Sequence, residues 1–289
     1  MDNKKKIILY PNAERDIGFE MAKRVGQMLE ERGRQTVMCP MFEDYPNDIS
    51  ETGYRPGILE LKLPEAELII TFGGDGTILR AARAVAGSGV PILGVNMGGK
   101  GFMAELEIGD IRLIDDVAKG NFKTESRMML DVEVERQGET IYCDFALNDV
   151  VVRGDNKVID LMLFGDGQRI SHFSGDGTVI ATPTGSTAYS MAAGGPIVEE
   201  AAHNIIVTPI CAHVVQAKSF VLMSDRRVSV ELGYRMNNPA YVSVDGGNNQ
   251  SINSGDIIHV FKSERYTRLV RLSNRSFYKK VSEKLGEKP

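Results

Sequence analysis

Cysteine is scarce in this 289-residue chain: Cys39, Cys143 and Cys211 are the whole complement, an odd number with no Cys-x-x-Cys spacing. That argues against a disulfide framework and a zinc knuckle, and it fits a reducing compartment with ordinary thiols. Long apolar runs are missing as well. No stretch approaches the roughly 20 residues of a membrane helix, and the charged Met1 to Lys6 runs straight into the strand-like Ile7 to Tyr10, leaving no room for the apolar core of a signal peptide. The expectation is a soluble, cytoplasmic protein without membrane contact. Clustered positive charge is the third absence: the net charge is −5, and Lys and Arg are scattered. A nucleic-acid binder would carry a basic surface, so no nucleic acid is expected as a partner. Lys279, Lys280, Lys284 and Lys288 are interleaved with acids and read as a solvated helix face. An anionic ligand must then be held locally, by loops and helix ends.

What is present divides the chain in two. Ile7 to Tyr10 reads as a strand, and after Asp16 the residues Ile17, Met21, Val25, Met28 and Leu29 fall at helical spacing until Gly33 stops them. Leu68 to Phe72 is a continuous apolar, β-branched run of the kind found in buried parallel strands. A glycine-rich turn, the helix-like Ile78 to Val85 and the strand-like Pro91 to Val95 follow it. This is a β-turn-α-β unit, so the first part is expected to be an open α/β domain with a Rossmann-like parallel sheet. From Thr124 the pattern alternates: Leu130, Val132 and Val134 face one way, Asp131, Glu133 and Glu135 the other. Thr140 to Leu147, Val158 to Phe164, Arg169 to Phe173, Thr178 to Thr182, Val228 to Leu232, Ala240 to Val244 and Ile257 to Phe261 read as further strands, with Asp166-Gly167 as a hairpin turn. The expected organisation is an α/β domain over 1–123, to which 270–289 returns, and a mostly antiparallel β domain over 124–269. Asn274 to Leu285 reads as a closing helix, and Tyr45 to Leu63, rich in proline, as a mobile loop.

The sharpest local feature is Phe72-Gly73-Gly74-Asp75-Gly76-Thr77 between a buried strand and a helix. Glycines let backbone approach a phosphate chain, and the helix N-terminus offers N–H groups and a positive dipole. Asp75 is the odd member, because a carboxylate repels phosphate; it belongs there if it acts on a hydroxyl or helps hold a metal, or it merely caps the helix. Two better-known loops fail. Gly94 to Lys100 fits Gly-x-x-x-x-Gly-Lys, but Gly101 stands where a hydroxyl should meet magnesium, and Leu79 replaces the third glycine of a dinucleotide fingerprint. A second cluster runs Ser174-Gly175-Asp176-Gly177-Thr178, then Ala181-Thr182-Pro183-Thr184-Gly185-Ser186-Thr187-Ala188-Tyr189-Ser190, then Gly194-Gly195-Pro196. So many small hydroxylated residues suit hydrogen bonds to a sugar and base, with Tyr189 as a stacking face; the plainer reading is a polar turn. Asn148-Asp149 and Asp245-Gly246 end apolar strands, where turn duty is the default. The four histidines, His172, His203, His213 and His259, are isolated in sequence and pair with no obvious nucleophile.

In this order the motifs resemble the NAD kinases along almost the whole chain. Gly73 to Thr77 alone is shared with lipid kinases; the string Thr182 to Tyr189 makes the resemblance specific. It implies magnesium-dependent transfer of a phosphate from ATP, or another donor, to the 2'-hydroxyl of the adenosine ribose of NAD, in a homo-oligomer, a dimer or tetramer. By the same resemblance Asp75 is the general base, and Gly74, Gly76 and Thr77, with the loop Asn96 to Phe102, hold phosphates with magnesium. No side chain is singled out as a metal ligand. Arg80 lies near the substrate; Asn148 and Asp149 bond a ribose or the adenine; Asp176, from a neighbouring subunit, meets the nicotinamide end. Thr184, Thr187, Ala188, Tyr189, Ser190, Ala212 and Asp245 complete the nucleotide surface. Lys100, Ala192 and Gly247 depart from the family pattern, as do Ala212 and Ala217-Lys218. Two rivals stay open. A lipid kinase would need an apolar or basic membrane-facing surface, and a dinucleotide sensor would have no use for Asp75.

Overall fold

The computed structural model describes residues 5–41, 59, 62–99, 101–213, 218–233, 239–272 and 276–286. Two compact units make up the chain, Met1–Ser126 with Thr267–Pro289, and Arg127–Tyr266. In the first, strands β1 (Lys6–Pro11), β2 (Thr36–Met38), β3 (Ala66–Gly73), β4 (Ile92–Asn96) and β5 (Leu106–Glu107) form a sheet in the order β4-β3-β1-β2, with β5 on β4. Every one of these pairings is parallel. The end of the chain's last strand joins in at Leu269, opposite Ile92 and also parallel. Burial on both faces explains the unbroken apolar run of β3, where Leu68, Ile69, Ile70 and Phe72 are fully buried.

Helix α1 (Glu20–Glu30) turns Ala22, Val25, Gly26 and Leu29 inward. It starts later than the periodicity suggests, because Gly18 and Phe19 adopt left-handed φ of 64° and 58°. The buried Asp16 then accepts from the N–H groups of Met21 and Ala22, both at 2.9 Å. Helix α2 (Asp75–Val85) starts earlier, since Gly74 is extended and the glycine turn itself becomes the first helical turn. A 3-10 stretch, Ile108–Leu113, and α3 (Ile114–Ala118) were not legible in the sequence pattern; they bury Ile111, Ile114 and Val117. The segment read as a mobile loop, Tyr45 to Leu63, lies outside the described residues apart from Leu59, Lys62 and Leu63.

The second unit is a sandwich of two antiparallel layers. Strands β6 (Lys123–Arg136), β7 (Glu139–Ala146), β8 (Asp149–Gly154), β9 (Ile159–Gly165), β10 (Gln168–Gly175) and β11 (Gly177–Ala181) come first. After the short α4 (Tyr189–Ala192) come β12 (Asn204–Ile210), β13 (Phe220–Met223), β14 (Val228–Leu232), β15 (Ala240–Val244), β16 (Gln250–Ile252) and β17 (Ile257–Arg271). One layer has the order β10-β9-β14-β17, with β6 on β17 and β7 on β6; the other runs β13-β12-β11-β8-β15-β16. Val132, Leu161, Val230 and Ile258 of the first layer meet Val152, Ile180, Val207 and Val242 of the second in one core. The hairpin at Asp166-Gly167 has φ of 49° and 77°, the left-handed pair that a two-residue turn requires. The outer face of the second layer is also covered: Val151, Val179 and Ile206 lie under Tyr189, Ala193 and Val198. The 182–198 segment is thereby seated on a rigid sheet.

Gly73 ends β3 where the chain turns into α2. A Cβ added there would stand 2.1 Å from the Thr77 hydroxyl oxygen. Gly73→Ala is expected to lower stability by about 1–3 kcal/mol, the range for an overpacked site. Urea unfolding checks this, with a lower midpoint at unchanged slope.

Candidate active site

The glycine turn sits where the centre of a parallel sheet delivers its strands' carboxyl ends to a helix N-terminus, the usual place for a phosphate in such folds. Its glycines have different tasks. Gly73 makes room for Thr77, whereas Gly74 and Gly76 have no atom within 4 Å of an added Cβ, so their backbone is open to a ligand. Thr77 is buried, its hydroxyl accepting from Asn12 Nδ2 at 3.4 Å. Arg80 is exposed one turn along α2.

Asp75 does not cap its own helix. Its Oδ2 accepts from the Phe102 N–H at 2.7 Å and its Oδ1 from the Met103 N–H at 3.1 Å. Burial pushes its pKa up, while those two donors and the cations of Lys284 and Lys280 pull it down. Gly101 completes the fit, since a Cβ there would fall 2.6 Å from Asp75 Oδ1. Asn96, at the end of β4, donates from Nδ2 to Gly99 O at 3.1 Å and to Glu107 at 2.8 Å. The run Gly94 to Lys100 is therefore no phosphate loop of the Walker kind: Gly94 is mid-strand, packed against Ile78 and Ala104, and Lys100 lies outside the described residues.

In the second unit, residues far apart in sequence meet at one end of the outer layer. Asp245, held at φ 49°, accepts from three successive N–H groups, those of Leu147 at 2.8 Å, Asn148 at 2.7 Å and Asp149 at 3.1 Å. Thr182 donates its hydroxyl to Leu147 O at 2.6 Å, and Gly185 packs so closely that a Cβ would lie 2.1 Å from Asn148 O. Asn148 and Asp149 do not simply close a strand; Asp149 opens β8. Asn148 Oδ1 is buried with no partner among the described residues. Burial and the neighbouring Asp245 raise the Asp149 pKa from 3.8 to about 7. One carboxylate of the pair is thus held by three backbone donors, and the other keeps its proton toward the neutral range.

The hydroxyl-rich string is spent largely on its own folding. Ser186 donates to Pro183 O at 2.7 Å, Thr187 to Thr184 O at 3.3 Å, and Ser190 pairs with Thr208 at 3.1 Å. Thr184 and Ser190 are buried, leaving Thr187, Ala188 and Tyr189 as the partly exposed surface. Asp176 and Ala212 are not brought to this end. Asp176 precedes β11 and Thr182 follows it, about 20 Å apart at roughly 3.3 Å per residue. The Asp176 N–H bonds Ile210 O, and Ala212 packs on Gly175.

Three features escaped the sequence pattern. The C-terminal lysines are not all solvated: Lys284 bonds Glu107 at 3.0 Å, and Lys280, half-buried, lines a small cleft that Gly101 also lines. Arg127, fully buried, is paired with Glu200 and reaches the Thr184 hydroxyl at 3.4 Å. His259 does have a serine beside it, Ser229 at 2.9 Å, with Glu135 at 3.3 Å beyond. Ser229 is mid-strand between β9 and β17, however, where backbone N–H groups are engaged in ladders and cannot form an oxyanion hole.

A glycine turn on a parallel sheet with one tethered carboxylate, and a β unit bearing the hydroxyl-rich 182–190 segment, fit the class of small-molecule kinases. The N-terminal domain model of ATP-NAD kinases matches residues 11–122 and the C-terminal domain model matches residues 147–272. An NAD kinase of Ruminiclostridium cellulolyticum is 32% identical over 98% of this chain and 99% of its own, and one of Natranaerobius thermophilus is 36% identical over 96% of each. The chain belongs to the NAD kinase family. Its fold is that of the yeast NADH kinase solved with NADH, at TM-score 0.81 and 24% identity over 99% of this chain and 89% of that one. It is also that of the Archaeoglobus fulgidus NAD kinase solved with ATP, at TM-score 0.73 and 24% identity over 96% and 98%.

Asp149 binds its proton more tightly in the folded chain than in the unfolded one, so its contribution to stability falls as pH rises from about 4 through about 7. Asp149→Asn removes that loss. The melting temperature of the variant relative to the parent should be higher at pH 8 than at pH 5, and an equal difference at both would contradict the proton assignment.

Proposed function

We infer that this protein phosphorylates NAD to NADP with ATP, and that Asp75 is the proton acceptor. The carrying observation is the Asp75 carboxylate, fixed by the Phe102 and Met103 N–H groups inside an otherwise open phosphate loop. The 2'-hydroxyl oxygen of the adenosine ribose attacks the terminal phosphorus, the bond from that phosphorus to the bridging oxygen of ADP breaks, and the hydroxyl proton passes to Asp75. Positioning and charge neutralisation do most of such a transfer. A base whose pKa burial has raised accepts that proton more readily than an ordinary carboxylate. The open backbone at Gly74 and Gly76 and the α2 N-terminus receive phosphate, and the family's solved relatives were obtained with ATP and with NADH.

Among the described residues no three His, Cys, Asp or Glu side chains stand together. Magnesium bound with the triphosphate at Gly74, Gly76 and Thr77 would supply neutralisation of the phosphate charge. Arg80 stands on the exposed side of α2, beside the loop. In the second unit Thr187, Ala188 and Tyr189 offer the adenine surface, and Asn148 and Asp149 the ribose contacts. Thr184, Ser190 and Asp245 act from behind, as supports. No described helix is long and apolar enough to cross a membrane. Cys143 and Cys211 carry exposed free thiols, which supports placing the protein in the reducing cytoplasm.

Asp75→Asn should lower turnover at least about 100-fold, the minimum for a lost general base, with NAD binding retained. Steady-state kinetics with calorimetric NAD titration check it, and near-normal turnover would remove the role. The separation of Asp176 and Ala212 from Tyr189 along β11 supports a homo-oligomer in which a second copy supplies those two residues. A ligand bridging two copies favours their association. Sedimentation at low protein concentration should shift to the larger species on adding NAD, and a monomer with and without NAD would refute the assembly.

A further inference from the structure

The C-terminal helix, Phe277–Leu285, has an unusual packed face. Phe277, Lys280, Val281 and Lys284, at the spacing of one helical stripe, are its partly buried positions, and no residue of the helix is fully buried. Its large apolar side chains Tyr278 and Leu285 are exposed instead, at 70% and 42%. The packed stripe is thus half apolar, Phe277 and Val281, and half cationic, Lys280 and Lys284. The helix presents two lysines to the first unit, beside the Asp75 loop.

Its attachments are polar and continue into that loop. Lys284 Nζ lies 3.0 Å from Glu107 Oε1, while the other oxygen of Glu107 accepts from Asn96 Nδ2 at 2.8 Å. Just before the helix, the Leu272 N–H donates to Glu105 Oε1 at 2.9 Å and Arg271 lies 3.4 Å from Glu105 Oε2. Lys280 and Lys284 line one small cleft with Gly101, the residue packed on the Asp75 carboxylate.

We propose that Lys280 and Lys284 are positioning residues for phosphoryl transfer: they set the positive charge around the Asp75 carboxylate, and Lys284 fastens the C-terminal helix to Glu107 of β5, whose other oxygen holds Asn96. This rests on the reading of Asp75 as proton acceptor. The other charged groups in the cleft are Glu105, Glu107, Arg271 and Glu283, and α2 itself carries the exposed Arg80. Glu105 and Glu107 are already engaged by the Leu272 N–H, Arg271, Asn96 and Lys284. The cations of Lys284 and Lys280 act on Asp75 in the direction that keeps it ionised, opposing its burial.

The test is the pH dependence of kcat in Lys280→Met, Lys284→Met and Lys284→Arg, with Asp75→Asn alongside and thermal midpoints for all four. Loss of either cation should move the acid limb of the profile to higher pH, so that kcat falls more at pH 6 than at pH 8. Lys284→Arg, which keeps the charge, should return the limb to its place. Acid limbs that stay put in both methionine variants overturn the proposal, even if melting temperatures drop, because a purely structural helix would lower stability without moving the limb. Lys280→Met keeps the test decisive if Lys284→Met fails to fold. Normal turnover in Asp75→Asn would remove the reading of Asp75 itself, whereas collapse there with unmoved limbs in the lysine variants removes only the role of the helix.

Discussion

A carboxylate placed in a phosphate loop has to be turned away from the phosphates it would repel, and much of the first unit's detail follows from how this is done for Asp75. Two backbone N–H groups, from Phe102 and Met103, accept the task. They can reach only if the chain after β4 comes back over the glycine turn, which requires Gly101 to lack a Cβ and Gly94 to let Ala104 close on the strand. The result is a charge held off the anion path but still within the turn. The helix begins at Asp75 without a side-chain cap because Gly74, its N-cap, has no side chain to offer.

The second unit solves a related problem with two carboxylates. Asp245 takes three backbone N–H donors from Leu147, Asn148 and Asp149, an environment that favours its anion. Asp149, buried beside it without comparable donors, is pushed to about 7. The pair therefore combines a carboxylate bound to three backbone N–H donors with one that burial and its neighbour push up to about 7. Their closeness also fixes the turn on which the 182–187 segment rests, through Thr182 and the contact of Gly185 with Asn148.

Periodicity made the α/β and β parts readable, because parallel strands such as β3 are apolar throughout and strands such as β6 alternate. The glycine turn and the Asp166-Gly167 hairpin were readable because their backbone needs are local. What was hidden is non-local or short. Nothing in Asn148-Asp149 announces that Asp245, almost a hundred residues on, will bind its N–H groups. Strands β2, β5 and β16 have two or three residues and show no period. The strand β12 is buried along both faces and carries Pro209 near its end, so it shows no alternation either. The lysines of the C-terminal helix read as a solvated face because charge interleaving is all the sequence displays; the stripe Phe277, Lys280, Val281, Lys284 becomes visible as a docked face only when Glu107 is seen opposite.

Composition can also mislead about which polar groups serve a ligand. A run of threonines and serines looks like a binding surface, yet a hydroxyl has to be satisfied wherever it is buried. Thr182, Ser186 and Ser190 are fully buried, and each meets that demand within the segment or with the strand beneath it. Together with the apolar contacts of Tyr189, Ala193 and Val198 on the sheet, they make an irregular segment rigid and leave Thr187, Ala188 and Tyr189 at its surface. Arg127 extends the same scheme inward, a buried cation paired with Glu200 beneath Thr184. Replacing any of these hydroxyls would leave a buried partner unsatisfied, so the composition of the segment is bound to its stability.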